Sequence, residues 1–274
     1  MTKNNGNYQI IPFPKIRRLM VDGGRMARQK HLIHGLVEMD VTDARRLIHD
    51  HKSRTSETLS FTAFVMACLG RAVDMNKHMQ AYRTWREQLV IFDDMDVNTM
   101  FEVEVDGRKM IRPHIIRSVN RKTLRDIHEE IRAFQTEHER GREANFIGWF
   151  VLLPAFIRRF FLGVLFKNPR MLKDMNGTVS LTSVGMFGNG GGWGIPVSNH
   201  TLQITLGGIA EKPAFVNGQV EKREYLCVTI SVDHDIVDGA PAARFIQRFK
   251  ELIETCYGLD ELTGQGTERK EGVA

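Results

Sequence analysis

Cysteine is scarce: Cys68, Cys227 and Cys256 are the only three in 274 residues. The number is odd and no Cys-x-x-Cys occurs, so a disulfide scaffold is excluded and buried free thiols in a reducing compartment are expected. Proline is also sparse, and no proline-, glycine- or serine-rich linker, repeat or low-complexity tract divides the chain. Met1–Tyr8 is polar and lacks the apolar stretch of a secretory signal, which gives a cytoplasmic expectation. There is no strong excess of one charge. Lys plus Arg exceed Asp plus Glu by 38 − 33 = 5, a balance that suits phosphorylated small molecules and gives no reason to expect nucleic acid. Metal-ligand spacing is missing too: His128–Arg132 (HEEIR) lacks the second histidine of a zinc site, and no metal is expected. The glycine cluster Gly188–Gly194 fits neither the dinucleotide nor the P-loop pattern. It reads instead as backbone made to approach a neighbour or a ligand closely.

What is present is a globular composition, with 42% hydrophobic residues and a mean hydropathy of −0.27. One long apolar run stands out, Phe146–Phe166, interrupted by Pro154 and by Arg158-Arg159. Charge in the middle of a span is costly in a bilayer, so a helical hairpin, buried or facing another subunit, is expected, with shallow membrane contact as the second reading. His49 and His51, flanking Asp50 near a helix end, read as an exposed, solvated cluster.

Periodicity predicts a mixed α/β domain without a regular βαβ beat. Ile16–Lys30 is a basic segment of helical type, weakened by Gly23-Gly24. Leu36–Val41 reads as a strand, and Thr42 as the cap of a helix to His51. Phe61, Phe64, Val65, Cys68, Leu69, Ala72 and Val73 mark one buried helical face. Strands are expected at Leu89–Phe92, Val97–Val105 and Met110–Ile116, the last two joined at Asp106-Gly107. A helix follows over Thr123–His138. Further strands are Gly177–Thr182, Leu202–Ile209, Ala214–Val216 with its Asn217-Gly218 turn, and Tyr225–Asp233. Ala240–Cys256 is an amphipathic closing helix.

Chemistry concentrates in Ser231–Arg244, SVDHDIVDGAPAAR. An alternating strand runs into His234, and Asp238-Gly239 precede a helix. A histidine at a strand end can be held rigidly with its ring in a cleft; it can equally pack between two acids as a satisfied turn residue. His-Asp-Ile-Val-Asp-Gly fits the His-x-x-x-Asp-Gly signature of the 2-oxo acid dehydrogenase acyltransferases (E2 components) and chloramphenicol acetyltransferases. The stretches AARFIQRFKELIE, GTVSLTSVGMFG, ITLGGIAEKP, LSFTAFVMACLGRAV, IRPHIIRSVNRKTL and IRRLMVDGGRMARQKHLIHGLVEMDVTDARRL also resemble E2 segments, collinearly, over residues 12–258.

The resemblance implies a chloramphenicol acetyltransferase-like fold, a central mixed β-sheet with flanking helices, and a trimer whose sites lie between subunits. It implies an acyltransferase moving an acyl group between CoA and a thiol, dihydrolipoyl in the leading reading. His234 is the implied general base and Thr182 the implied oxyanion donor, with Ser183 beside it. Asp238 is implied to steady the site loop by pairing with Arg17, Arg18 being the competitor. Gly239 is implied to allow the turn into the helix, and His34 is site-adjacent because Ile33 replaces a family proline. Three departures stand out. Asp235 replaces the arginine that usually follows the histidine, and should favour the imidazolium form of His234. The helical insertion at about 143–175 is longer and more apolar than the E2 link. No lipoyl or subunit-binding domain is expected, so the lipoyl group is expected to come from another protein. Residues 1–11 and 259–274 read as polar tails. The other readings are a small hydroxyl or amine acceptor, and a non-catalytic trimeric scaffold or regulator.

Overall fold

Period-two runs become strands and period-3.6 runs become helices in the computed structural model, which describes residues 3–5, 8–105, 108–136, 150–185 and 190–259. In chain order these are β1 (Lys3–Asn5), β2 (Tyr8–Ile10), α1 (Arg17–Ala27), β3 (Leu32–Asp40), α2 (Thr42–Thr55), α3 (Phe61–Asp74), β4 (Tyr82–Arg83) and β5 (Leu89–Val90). Then come β6 (Val97–Val105), β7 (Arg108–Ile116), α4 (Leu124–Thr136), α5 (Ala155–Lys167), α6 (Pro169–Asn176), β8 (Val179–Ser183), β9 (Leu202–Val216), β10 (Gln219–Asp233) and α7 (Gly239–Glu254). The expected Asp106-Gly107 turn, the start of the apolar run at Phe146–Trp149 and Gly188-Asn189 lie outside the described residues.

Six strands form one mixed sheet in the order β3-β10-β9-β8-β6-β7. β8 is parallel to both neighbours, and the other pairs are antiparallel. This is the mixed α/β architecture that the sequence implies. Strand alternation sorts the sheet into two unlike faces. Val179 and Leu181, then Leu202, Ile204 and Leu206, then Val228, Ile230 and Val232 are in register and share one hydrophobic core with α3 and α7. The opposite face of the same strands carries Ser180 and Thr182, Gln203 and Thr205, and Thr229 and Ser231.

α3 is buried from Ala63 to Val73 apart from exposed Arg71, and packs against α4 and α7. Burying Phe64, Met66 and Leu69 contributes about 1.5–3 kcal/mol each. Its start is set by Ser60, whose hydroxyl accepts the Ala63 N–H at 3.2 Å, worth about 1 kcal/mol. All three cysteines are buried, and none is in a disulfide among the described residues.

Several expectations need correction. β3 begins at Leu32 rather than Leu36, because β10 supplies pairing partners out to Asp233. Thr42 opens α2 but does not cap it: the Asp40 carboxylate accepts the Thr42 N–H at 2.9 Å and its hydroxyl at 2.6 Å. β9 and β10 are each 15 residues long, so Ala214–Val216 belongs to β9 and is not a separate strand. Asn217 (φ 51°) and Gly218 (φ 83°) close the hairpin in the left-handed region. His51 is buried, with Nε2 2.9 Å from the Glu57 carboxylate, and does not form an exposed cluster.

The glycine-rich segment does bring backbones together. A Cβ on Gly207 would lie 2.0 Å from the Gly192 carbonyl oxygen, and one on Gly208 1.9 Å from that of Gly190. The Gly208 N–H donates to Gly192 at 3.0 Å.

Candidate active site

β10 ends at Asp233, and the chain folds back on itself at once: the Ile236 and Val237 N–H groups both donate to the Asp233 carbonyl at 3.0 Å. Val237 is buried in the core and pins the far side of this turn. The near side is held from two directions. The His234 N–H donates to the His31 carbonyl and the Asp233 N–H to the Thr201 carbonyl, each at 2.9 Å. The buried Asp233 carboxylate takes the Lys30 ammonium at 2.5 Å. The His234 backbone is therefore fixed while its side chain is exposed, with no hydrogen bond or ion pair among the described residues.

The two flanking acids are engaged elsewhere. Asp233 binds Lys30, and Asp235 lies 2.9 Å from His31 Nδ1, with Arg83 at 3.9 Å. The bond from His31, with the charges of His31 and Arg83, holds the Asp235 carboxyl below the usual carboxylate range. His234 is thus not a turn histidine satisfied by its neighbours, and the Asp235 carboxylate is engaged by His31.

Thr182 projects from the polar face of β8. A cavity of about 190 Å³ opens beside it, bounded by Asn98, Ser180, Gln203 and His200. Ser183 points to the opposite side by alternation and does not line this space. Thr182 is level with Thr205 and, one strand further, Thr229. The Thr205 and Thr229 hydroxyls are buried without a hydrogen-bond partner among the described residues. His200 places Nε2 2.8 Å from the Asn176 carbonyl, and burial pushes its pKa down to about 4, so the ring is neutral at pH 7.

The other expected residues are placed as follows. Asp238 is the N-cap position of α7, is exposed, and makes no side-chain cap bond. Arg17 and Arg18 are exposed at the start of α1, and among the described residues neither pairs with Asp238. Gly239 begins α7 without a positive φ, and a Cβ there would meet open space, so the fold of one chain does not require glycine. His34 sits opposite Ser231 in the β3–β10 register, its Nδ1 2.7 Å from the Ser231 hydroxyl. Lys30, His31 and Thr201, which clamp the His234 turn, carry no sequence motif. The pairing of β10 with β3 on one side and with β9 on the other makes them neighbours.

One chain does not bring His234 and Thr182 together. His234 lies five residues beyond Thr229 on β10, and Thr182 lies two strands across from Thr229. Those strand spacings and rises separate the two by roughly 19 Å. A proton transfer and its oxyanion donor need partners within about 3 Å of the reacting atoms.

Known proteins share both sequence and architecture with this chain. The dihydrolipoyllysine-residue succinyltransferase component of the 2-oxoglutarate dehydrogenase complex of Saccharomyces cerevisiae is 38% identical over 84 residues, 30% of this chain and 18% of that protein. The dihydrolipoyllysine-residue acetyltransferase component of the pyruvate dehydrogenase complex of Rickettsia conorii is 20% identical over 263 residues, 93% of this chain and 56% of that one. The chain thus spans little more than half the length of the second relative and matches under a fifth of the first. The solved structure of a probable dihydrolipoamide acetyltransferase from Listeria monocytogenes has the same fold, with a TM-score of 0.66 at 18% identity over 92% of this chain and 97% of that one. That of the Azotobacter vinelandii dihydrolipoamide acetyltransferase gives 0.67 at 16% identity, covering 93% and 94%. The family profile for the 2-oxoacid dehydrogenases acyltransferase (catalytic domain) matches residues 5–145 and 169–259 and leaves 146–168 unmatched. With that match across most of its length, the chain belongs to the 2-oxoacid dehydrogenase acyltransferase catalytic-domain family.

Proposed function

We propose that this protein transfers an acyl group between CoA and a dihydrolipoyl thiol carried by another protein, at a site assembled between subunits of a homotrimer. The observation that carries this reading is the state of His234, whose backbone is clamped by His31 and the Lys30–Asp233 pair while its ring stays open to an incoming group. The separation from Thr182 in one chain supports a site shared between chains.

In the reaction, neutral His234 accepts the proton of the attacking thiol, whose ordinary pKa near 8.5 suits an imidazole acceptor. The thiolate adds to the thioester carbonyl. The Thr182 hydroxyl of a neighbouring subunit donates to the oxyanion of the tetrahedral adduct. Collapse breaks the original C–S bond, and the leaving thiolate takes the proton back from the imidazolium. Asp238, paired with Arg17 or Arg18 across the assembly, would steady the loop after His234. Three buried cysteines, an odd number without a Cys-x-x-Cys pair, support a reducing, cytoplasmic setting.

The test follows acyl exchange between acetyl-CoA or other short acyl-CoAs and free dihydrolipoamide. Wild-type activity is expected to disappear in His234→Ala and to fall about 10²–10³-fold in Thr182→Ala. Turnover that survives His234→Ala, or none by the wild type with any acyl-CoA, would overturn the reading.

A further inference from the structure

Helix α5 is patterned opposite to an ordinary surface helix. Phe156, Phe160 and Val164 follow at four-residue spacing and stand on its solvent side, with Phe156 73% and Phe160 70% exposed. Phe161 and Leu152 widen the stripe. The inward side carries a charge instead: Arg158 is 4% exposed, and its Nη2 and Nε lie 2.8 and 2.9 Å from the buried Asp22 carboxylate of α1. Its Nη1 donates to the Leu153 carbonyl at 2.5 Å. Arg159 Nε reaches the other Asp22 oxygen at 3.3 Å. The ion pair thus fastens α5 to α1 with the phenylalanines facing outward, and a contiguous exposed apolar patch of this kind marks an interaction surface.

Charge identifies the occupant. The one acid of α1, Asp22, is buried beneath Arg158, and Phe150–Lys173 contains no Asp or Glu. The exposed charges of α1 beyond its first turn, of the end of α5 and of the residues just after each helix are cationic: Arg25, Arg28, Lys167 and Arg170. A second copy meeting this face with its own equivalent face would set like charges against one another, which disfavours a two-fold contact through it. At 13 residues α5 is about 20 Å long, and no helix among the described residues is long and apolar enough to cross a membrane. Aromatic rings bordered by cations fit an anionic bilayer surface, the rings entering the acyl boundary and the cations meeting headgroup phosphates. The family profile passes over residues 146–168, so α5 lies outside the segments the profile matches.

We propose that α1 and α5 form a docking face for anionic phospholipid bilayers, with α5 lying in the plane of the interface. Phe166 of α5 and Met26 of α1 also line a cavity with Lys30, Asp233 and Asp235. Docking would therefore leave this cavity, which lies beside the His234 turn, on the inner side of α5. This goes beyond the acyl-transfer reading and stands apart from it, because binding is measured without turnover.

The experiment is flotation of the full-length protein with phosphatidylcholine vesicles, with and without phosphatidylglycerol. Wild-type protein is expected to float with the phosphatidylglycerol vesicles and to stay down with phosphatidylcholine alone. The Phe156→Asp/Phe160→Asp variant is expected to lose at least about tenfold in bound fraction, with thermal unfolding, sedimentation mass and acyl exchange unchanged. Lys167→Glu/Arg170→Glu is expected to weaken binding and flatten its salt dependence. Failure of the wild type to float, equal binding to neutral vesicles, or unchanged binding by the phenylalanine variant would overturn the proposal. A fall in sedimentation mass of the phenylalanine variant would overturn it too, assigning the face to a subunit contact.

Discussion

Lys30 reaches the buried Asp233 carboxylate one residue before His234, so it acts on a ring it does not touch. Lys30→Met would leave that carboxylate buried and unpaired, which typically costs about 3–5 kcal/mol. The expected outcome is a fall in kcat with KM nearly unchanged, together with lower thermal stability. Adding Asp233→Asn should recover much of the stability. A second residue gives a pH dependence. His200 has a folded-state pKa of about 4 against an ordinary 6.5. Between those values the unfolded chain binds a proton that the folded chain excludes, so the contribution is full above pH 6.5 and is lost as pH falls towards 4. It amounts to about 3 kcal/mol at most. Urea unfolding at pH 7 and pH 4.5 should show His200→Gln losing less stability on acidification than the wild type; parallel losses would refute the assignment. His234 was legible in the sequence because it sits in a contiguous signature. Lys30, His31 and His200 were not, since each gains its role from a partner distant in sequence.

Elements differ in how openly the sequence declared them. α3, α4 and α7 bury one face or more, so their apolar spacing was sufficient. The outer half of the β9–β10 hairpin reads in the sequence as separate pieces. Beyond Ile209 the strands leave the sheet, both sides meet solvent, and alternation no longer carries a core signal. The apolar run around α5 was visible, but its orientation was not, because periodicity does not say which side faces in. Asp22 decides that. Asp22→Asn should destabilise the protein by about 3–5 kcal/mol in chemical unfolding, by leaving Arg158 charged and buried. Replacing both partners together, Asp22→Leu with Arg158→Met, should cost far less. Equal losses in the single and double variants would mean that the pair does not hold α5 in place.

At the scale of the whole molecule, the proposed mechanism, set against the distance between His234 and Thr182, would make the assembly the unit of activity. His234→Ala and Thr182→Ala chains are each expected to be inactive or nearly so alone. Co-expressed in equal amounts, they should regain about a quarter of wild-type activity if each site draws one residue from each of two chains at random. No recovery would place both residues in one chain's site. The family's collinear motifs made the fold legible, whereas a site between subunits came from the resemblance alone, since no spacing within one chain encodes it.

The sheet is also built out of order. β3 lies at one edge and takes β10 as its neighbour in the sheet, roughly 190 residues later in the chain. At ribosomal rates of about 5–20 residues per second, β3 waits about 10–40 s for its partner. During that interval its hydrogen-bonding groups lie open to any other nascent strand. Biogenesis therefore depends on keeping this early strand shielded until the last strand is made, and a message cut short before Tyr225 would yield aggregate and not a smaller domain.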